Sequence, residues 1–175
     1  MGHVIEAATS GRAKCRGCGK TIAQGELRFG ERLPNPFAEG ETTLWFHPLC
    51  AAYKRPEPLL EALAQSTTSV LPERESLESA ARQSLAHRRL PRIDGAERAP
   101  SSQAKCRHCR EPIAKGTWRI RLAYFDEARF SSGGSVHLDC RRAYFETDDV
   151  LERVLRFSPE TSAEELAELR RALAT

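Results

Sequence analysis

Two cysteines separated by two residues, Cys15-Arg-Gly-Cys18, are followed by Phe46-His47-Pro-Leu-Cys50, and the pattern returns as Cys106-Arg-His-Cys109 with Val136-His137-Leu-Asp-Cys140. Nothing else in the chain restricts its fold as strongly. Three soft thiolates and one imidazole, delivered by two short clamps, suit a tetrahedral Zn2+ with all four positions taken by protein. A closed site has no place for a substrate, so two structural zinc ions are expected, one per ligand set. The two sets use all six cysteines and two of the five histidines. Three disulfides are the alternative, but a disulfide framework gives the HxxC histidines no role, and the N-terminus carries no apolar signal-peptide stretch. An intracellular protein is expected.

Of the 175 residues, 40% are hydrophobic and 29% charged, lean for one large core but adequate for two small units. Units of this size bury little apolar surface, and a structural zinc with apparent binding energy on the order of 10 kcal/mol supplies the deficit. No run of eighteen apolar residues occurs, so no membrane span is expected. The formal net charge is +3 and unevenly placed. Residues 10–56 hold eight basic against four acidic side chains, residues 102–145 nine against four, and residues 146–175 four against eight. Three thiolates on one Zn2+ leave each cluster at about −1, so each module is slightly less basic than its formal count. The remaining positive surface fits a polyanion partner, and equally a solvated face. Arginine supplies 22 of the 27 basic residues, which points to a high-GC, bacterial source. The expected location is then the cytoplasm or nucleoid, and the nucleus in a eukaryote.

Residues 1–9 lack a periodic pattern and read as loosely held. Gly17 and Gly19 permit the tight CxxC turn. Residues 21–33 read as a hairpin turning at Ala23-Gln-Gly25; alternation sends Leu27 and Phe29 toward the zinc, and Arg28 and Arg32 toward water or phosphate. Two prolines and Gly40 make residues 34–40 an exposed loop carrying Phe37, after which a strand over 42–46 delivers His47 and Cys50. Helices are predicted over 49–53, 58–64 and 72–88, the last favoured by acidic residues at its start and basic ones at its end. Residues 89–101, with two prolines and one glycine, read as a linker. The second part repeats the first: Cys106 follows Cys15 by 91 and His137 follows His47 by 90. There Trp118, Ile120, Leu122 and Tyr124 alternate with Arg119 and Arg121, which are candidate nucleic-acid contacts like Arg28 and Arg32, and helices are predicted over 148–157 and 159–174. Trp45 reads as a core residue beside the zinc, and His108 points away from it. The expected fold is two small α+β zinc-stabilised modules, each a small antiparallel sheet with C-terminal helices: residues 1–88, linker 89–101, and residues 102–175.

Ser10-Gly-Arg12-Ala-Lys-Cys15, Leu27-Arg28 and Trp45-Phe46-His47, together with the CxxC…HxxC spacing, closely resemble the PARP-type zinc finger. That module senses strand breaks in poly(ADP-ribose) polymerase and in a vertebrate DNA ligase, and the tandem resembles the polymerase's two N-terminal fingers. The resemblance implies phosphate contacts by the arginine before the CxxC and by the one on the following strand, here Arg12, Arg28 and Arg119. It also implies apolar loop side chains that stack on the base pair exposed at a break: Phe37 in the first copy, Phe125 or Phe130 in the second. The second copy departs from the pattern in lacking a Trp before its histidine and in having Gln103 where the first has Arg12. The polymerase's catalytic domain has no counterpart in these residues, so no enzymatic activity is expected. The implied function is zinc-dependent, sequence-independent binding of nicks, gaps and ends by a monomer, with DNA repair enzymes as candidate partners. A protein-interaction adaptor and a structured-RNA binder are the alternatives.

Overall fold

Leu27 and Phe29 do lie opposite Arg28 in a strand, and that strand is the middle of the first module's sheet. The computed structural model describes residues 2–67, 71–158 and 161–175, and the chain divides into two units, Met1–Pro91 and Arg92–Thr175. In the first, β1 (Val4–Ala7), β2 (Leu27–Pro34) and β3 (Glu41–Phe46) form an antiparallel sheet in that order. Phe29 pairs with Phe46, their rings 6.2 Å apart, and both are fully buried. Behind them pack α1 (Pro48–Lys54), α2 (Pro56–Gln65) and α3 (Arg74–Ala86). Prolines open α1 and α2, where the missing N–H costs nothing. Leu59, Leu63, Leu77 and Ala81 complete the core. Glu31 also points inward, and its buried carboxylate is neutralised by the Arg55 guanidinium, whose Nε lies 2.8 Å away.

Two expectations for this module need correction. Residues 4–7 are not loose: they form the edge strand β1, in register with β2 as Val4↔Gly30 and Glu6↔Arg28. Residues 21–33 are not a hairpin, because Thr21 makes only an isolated bridge to Lys14 and β2 pairs instead with β1 and β3. Four residues are too short to show periodicity, and their pairing partner lies far along the chain.

The second unit has the same plan. Strands β4 (Ile93–Arg98), β5 (Trp118–Asp126) and β6 (Arg129–His137) form an antiparallel sheet, followed by α4 (Arg141–Phe145), α5 (Leu151–Arg156) and α6 (Ala163–Ala174). Ile93, Ile113, Ile120, Leu122, Val136, Phe145, Val154 and Leu169 are its core. Residues 89–101 are therefore not a linker: they contain β4, and their prolines flank the strand. Gly95, at φ 91°, takes the irregularity between Ile93 and Ala96 in its pairing. Strands β5 and β6 meet at a tight turn with Glu127 and Ala128 both at positive φ, as a two-residue hairpin requires. A capping box between Ser162 and Glu165 starts α6. Its expected beginning at residue 159 lies outside the described residues. Glu168 docks α6 on the sheet, accepting from Arg98 Nη2 at 2.5 Å and from Trp118 Nε1 at 3.3 Å. Among the described residues no helix is long and apolar enough to cross a membrane.

Candidate metal centres and nucleic-acid interface

The first CxxC lies between β1 and β2. Its turn closes through the Gly19 N–H donating to the Cys15 carbonyl at 2.8 Å, with Gly19 at φ 78°. The Arg16 N–H donates to the Trp45 carbonyl at 2.9 Å, which fastens the knuckle to β3. At the end of β3, His47 caps α1 and Cys50 lies in its first turn, so the helix's positive end faces the thiolates. The four donor atoms of Cys15, Cys18, His47 and Cys50 lie within 4.8 Å of one another. His47 turns Nδ1 inward, 3.4 Å from Cys18 Sγ, while Nε2 faces Glu26 at 3.6 Å. Nδ1 is thus the ligand nitrogen. Cys15 and Cys50 are buried and Cys18 is half-buried.

The second set, Cys106, Cys109, His137 and Cys140, meets the same 4.8 Å limit. Arg107 N–H donates to Ser135 O at 2.9 Å, as Arg16 does to Trp45 in the first module. His137 Nδ1 lies 3.3 Å from Cys109 Sγ, and its Nε2 donates to the Pro112 carbonyl at 3.1 Å. In both modules the histidine's backbone N–H donates to the first cysteine's sulfur at 3.3 Å. The second site is more open: Cys106 is buried, Cys140 half-buried and Cys109 exposed.

All six cysteines are free thiols, which removes the disulfide reading. The donors alone divide their protons unevenly. Hydrogen bonds from Cys15 and Cys50, with His47, hold the Cys18 thiol far below its usual range. The bonds to Cys15 and Cys18 push His47 up to about 10. Burial, and then Cys106 and Cys109, push Cys140 up to about 12. Burial opposes ionisation of Cys106, but the backbone amides of Cys109, His137 and His108 outweigh it and bring the thiol down to about 7. Three thiols crowded this closely do not all ionise by themselves, and a divalent cation with a preference for sulfur lets them. Donor set, spacing and electrostatics fit two structural zinc ions.

The expected nucleic-acid residues are distributed differently from the simple strand-face reading. Arg12 and Arg32 are exposed. Arg28 is on the predicted face but is buried there between Glu6 and the Trp45 ring, its Cζ 3.6 Å from the ring centroid. Trp45 lies flat because Gly30 opposite has no side chain; a Cβ at Gly30 would stand 2.7 Å from the ring. Arg119 is half-buried beside Glu97. Arg121 is a correction. Its Nη2 donates to the Asp94 carbonyl at 2.8 Å and reaches the Phe157 carbonyl at 3.4 Å, so it braces the second module instead of facing outward. Phe37 is 82% exposed in the loop between β2 and β3. Phe125 and Phe130 are cross-strand partners at the equivalent β5–β6 tip, half-buried, with ring centroids 4.9 Å apart. Sequence reasoning missed Glu6 and Glu97. Each stands nine residues before the first cysteine of its module, a repeated offset that would have found them.

Residues 6–88 match the family described as the poly(ADP-ribose) polymerase and DNA-ligase Zn-finger region. The chain is 29% identical over 158 residues to a poly(ADP-ribose) polymerase of Sarcophaga peregrina, covering 78% of this chain and 16% of that protein. It is similarly 29% identical over 156 residues to the polymerase of Drosophila melanogaster. A 48-residue stretch is 42% identical to poly(ADP-ribose) polymerase 1 of Caenorhabditis elegans. The chain thus spans only about a sixth of the length of the first two relatives. Residues 6–88 match the PARP-type zinc finger, and Arg92–Thr175 repeats the same ligand set and three-stranded sheet, consistent with two tandem fingers of that type.

Proposed function

We propose that this chain binds DNA at strand interruptions and acts as a non-catalytic sensor or adaptor in repair. The observation that carries the reading is the placement of Phe37, 82% exposed at the tip of the first hairpin, with Phe125 and Phe130 at the tip of the second. An aromatic ring held in water at the tip of a zinc-stapled hairpin gains nothing within its own module and is suited to stacking on an exposed base pair. Names of the relatives, polymerases that carry this finger, support the same reading.

Exposed Arg12 and Arg32, with the outer edges of Arg28 and Arg119, attract the phosphate backbone without reading sequence. Selectivity for breaks follows from deformation. Bending a continuous duplex sharply costs on the order of 1–6 kcal/mol, and unstacking a step adds a few more. A nick removes most of that cost, so a protein that must bend DNA and place a ring on the exposed pair prefers nicks, gaps and ends. Two fingers on one chain raise the effective concentration for the second contact. Both zinc positions are closed by four protein ligands, so the metals hold the fold and take no substrate. Such an activity belongs to the nucleoid of a bacterium or the nucleus of a eukaryote, with repair enzymes as candidate partners.

Zinc-loaded protein titrated with matched intact, nicked and gapped oligonucleotides tests the reading. Preference for the interrupted duplexes, weakening as salt rises and reduced by Phe37→Ala, is expected. Equal affinity for intact and nicked duplex overturns it. A zinc-loaded protein that shifts no DNA is an interaction adaptor, and one that prefers duplex RNA over nicked DNA is an RNA binder.

A further inference from the structure

Glu6 on β1 stands opposite Arg28 on β2, and Glu97 on β4 stands opposite Arg119 on β5. In each pair a single carboxylate oxygen takes two nitrogens of the guanidinium. Glu6 Oε1 lies 3.2 Å from Arg28 Nε and 2.6 Å from Nη2; Glu97 Oε1 lies 3.1 Å from Arg119 Nε and 2.7 Å from Nη2. Nη1 meets no acceptor among the described residues in either case. The carboxylates are 39% and 35% exposed and the arginine side chains 9% and 14%, so each pair is open to water on its acidic side. What the arrangement does is geometric: a flexible arginine becomes a fixed fork, with Nε and Nη2 held by the carboxylate and Nη1 neither bonded nor fully buried.

We propose that Glu6 and Glu97 are positioning residues that aim Arg28 and Arg119 at DNA phosphates. The inference rests on the DNA-binding reading above. Guanidinium contacts to phosphate are directional, and an arginine oriented before binding loses less freedom when it makes them. The two modules differ in a way that separates positioning from packing. Arg28 is fixed on a second side by the Trp45 ring, whereas Ser135 occupies the corresponding place in the second module, where among the described residues the Arg119 guanidinium is hydrogen-bonded by Glu97 alone. The second module therefore depends more heavily on its carboxylate.

The test is binding of the zinc-loaded full chain to a nicked oligonucleotide duplex by the wild type, Glu6→Gln, Glu97→Gln, Arg119→Ala and the Glu97→Gln/Arg119→Ala double variant. Glu97→Gln is expected to weaken binding by about three- to tenfold, the equivalent of one side chain newly immobilised on binding, and Glu6→Gln by less. Arg119→Ala lowers the salt dependence by about one phosphate contact, and adding Glu97→Gln to it changes nothing further. Zinc content and melting temperature measured alongside show that each variant is folded. Gln variants that bind as well as the wild type, or more tightly because a negative charge has left the interface, overturn the positioning role and leave the DNA reading standing. An additive effect of Glu97→Gln in the Arg119→Ala background overturns it as well. A wild type that binds no nicked duplex overturns both.

Discussion

Gly95 and Phe157 touch backbone to backbone: a Cβ on Gly95 would stand 2.0 Å from the Phe157 carbonyl oxygen, and Gly95 sits at φ 91°. Beside it, the Ala96 N–H donates to Ser158 Oγ at 2.8 Å. These contacts make β4 an integral part of the second module, fastened to the end of α5.

Gly95→Ala is accordingly expected to destabilise the second module by about 2–4 kcal/mol, since neither the left-handed backbone nor the backbone contact can accommodate a methyl group. Thermal unfolding monitored with zinc release should show the second site melting early while the first holds its metal. An unchanged melting curve would place the second module's boundary after residue 101.

The two metals should leave at different rates. Cys109 is exposed, while Cys15 and Cys50 of the first site are buried. A chromogenic chelator is expected to remove zinc in two phases, and Cys109→Ser should abolish the faster one while Cys15→Ser abolishes the slower.

Gly19 and Arg110 occupy the same position in the two CxxC turns, at φ 78° and 69°. The left-handed conformation costs a side chain about 1–2 kcal/mol that glycine avoids. Arg110→Gly is expected to stabilise the second module by up to about 1 kcal/mol, and Gly19→Ala to destabilise the first by about the same, both read from denaturant midpoints.

Zinc uptake by the first module should release a proton from His47. In the metal-free chain, Cys15 and Cys18 raise its folded pKa from 6.5 to about 10. The protonated ring stabilises the metal-free fold fully below pH 6.5, and that contribution is lost as pH rises toward 10. Zinc displaces the proton, so affinity at this site is expected to rise with pH across that window. Competition titrations with a chelator of known pH dependence check the slope, and uptake of zinc without proton release would contradict it.

The ligand sets were legible in the amino-acid order because a metal site of this kind is written in two short clamps, and spacing alone brings each clamp's donors to one side. Alternation similarly told which side of β2 Arg28 occupies. It did not tell what Arg28 would meet there, because Glu6 and Trp45 arrive from strands 22 residues before and 17 after it. The strands Val4–Ala7 and Ile93–Arg98 were hidden for the same reason. One is too short for a pattern and the other carries a glycine where its backbone approaches Phe157, so only pairing with a distant strand gives either its conformation. Arg119 and Arg121 show the division most plainly: two residues apart on one strand, with the same side-chain chemistry, they part company in three dimensions. A carboxylate on β4 holds the first toward the surface, and backbone carbonyls of Asp94 and Phe157 draw the second inward. Local spacing determined the metal sites and the repeat; non-local hydrogen bonding decided which arginines remain for a partner.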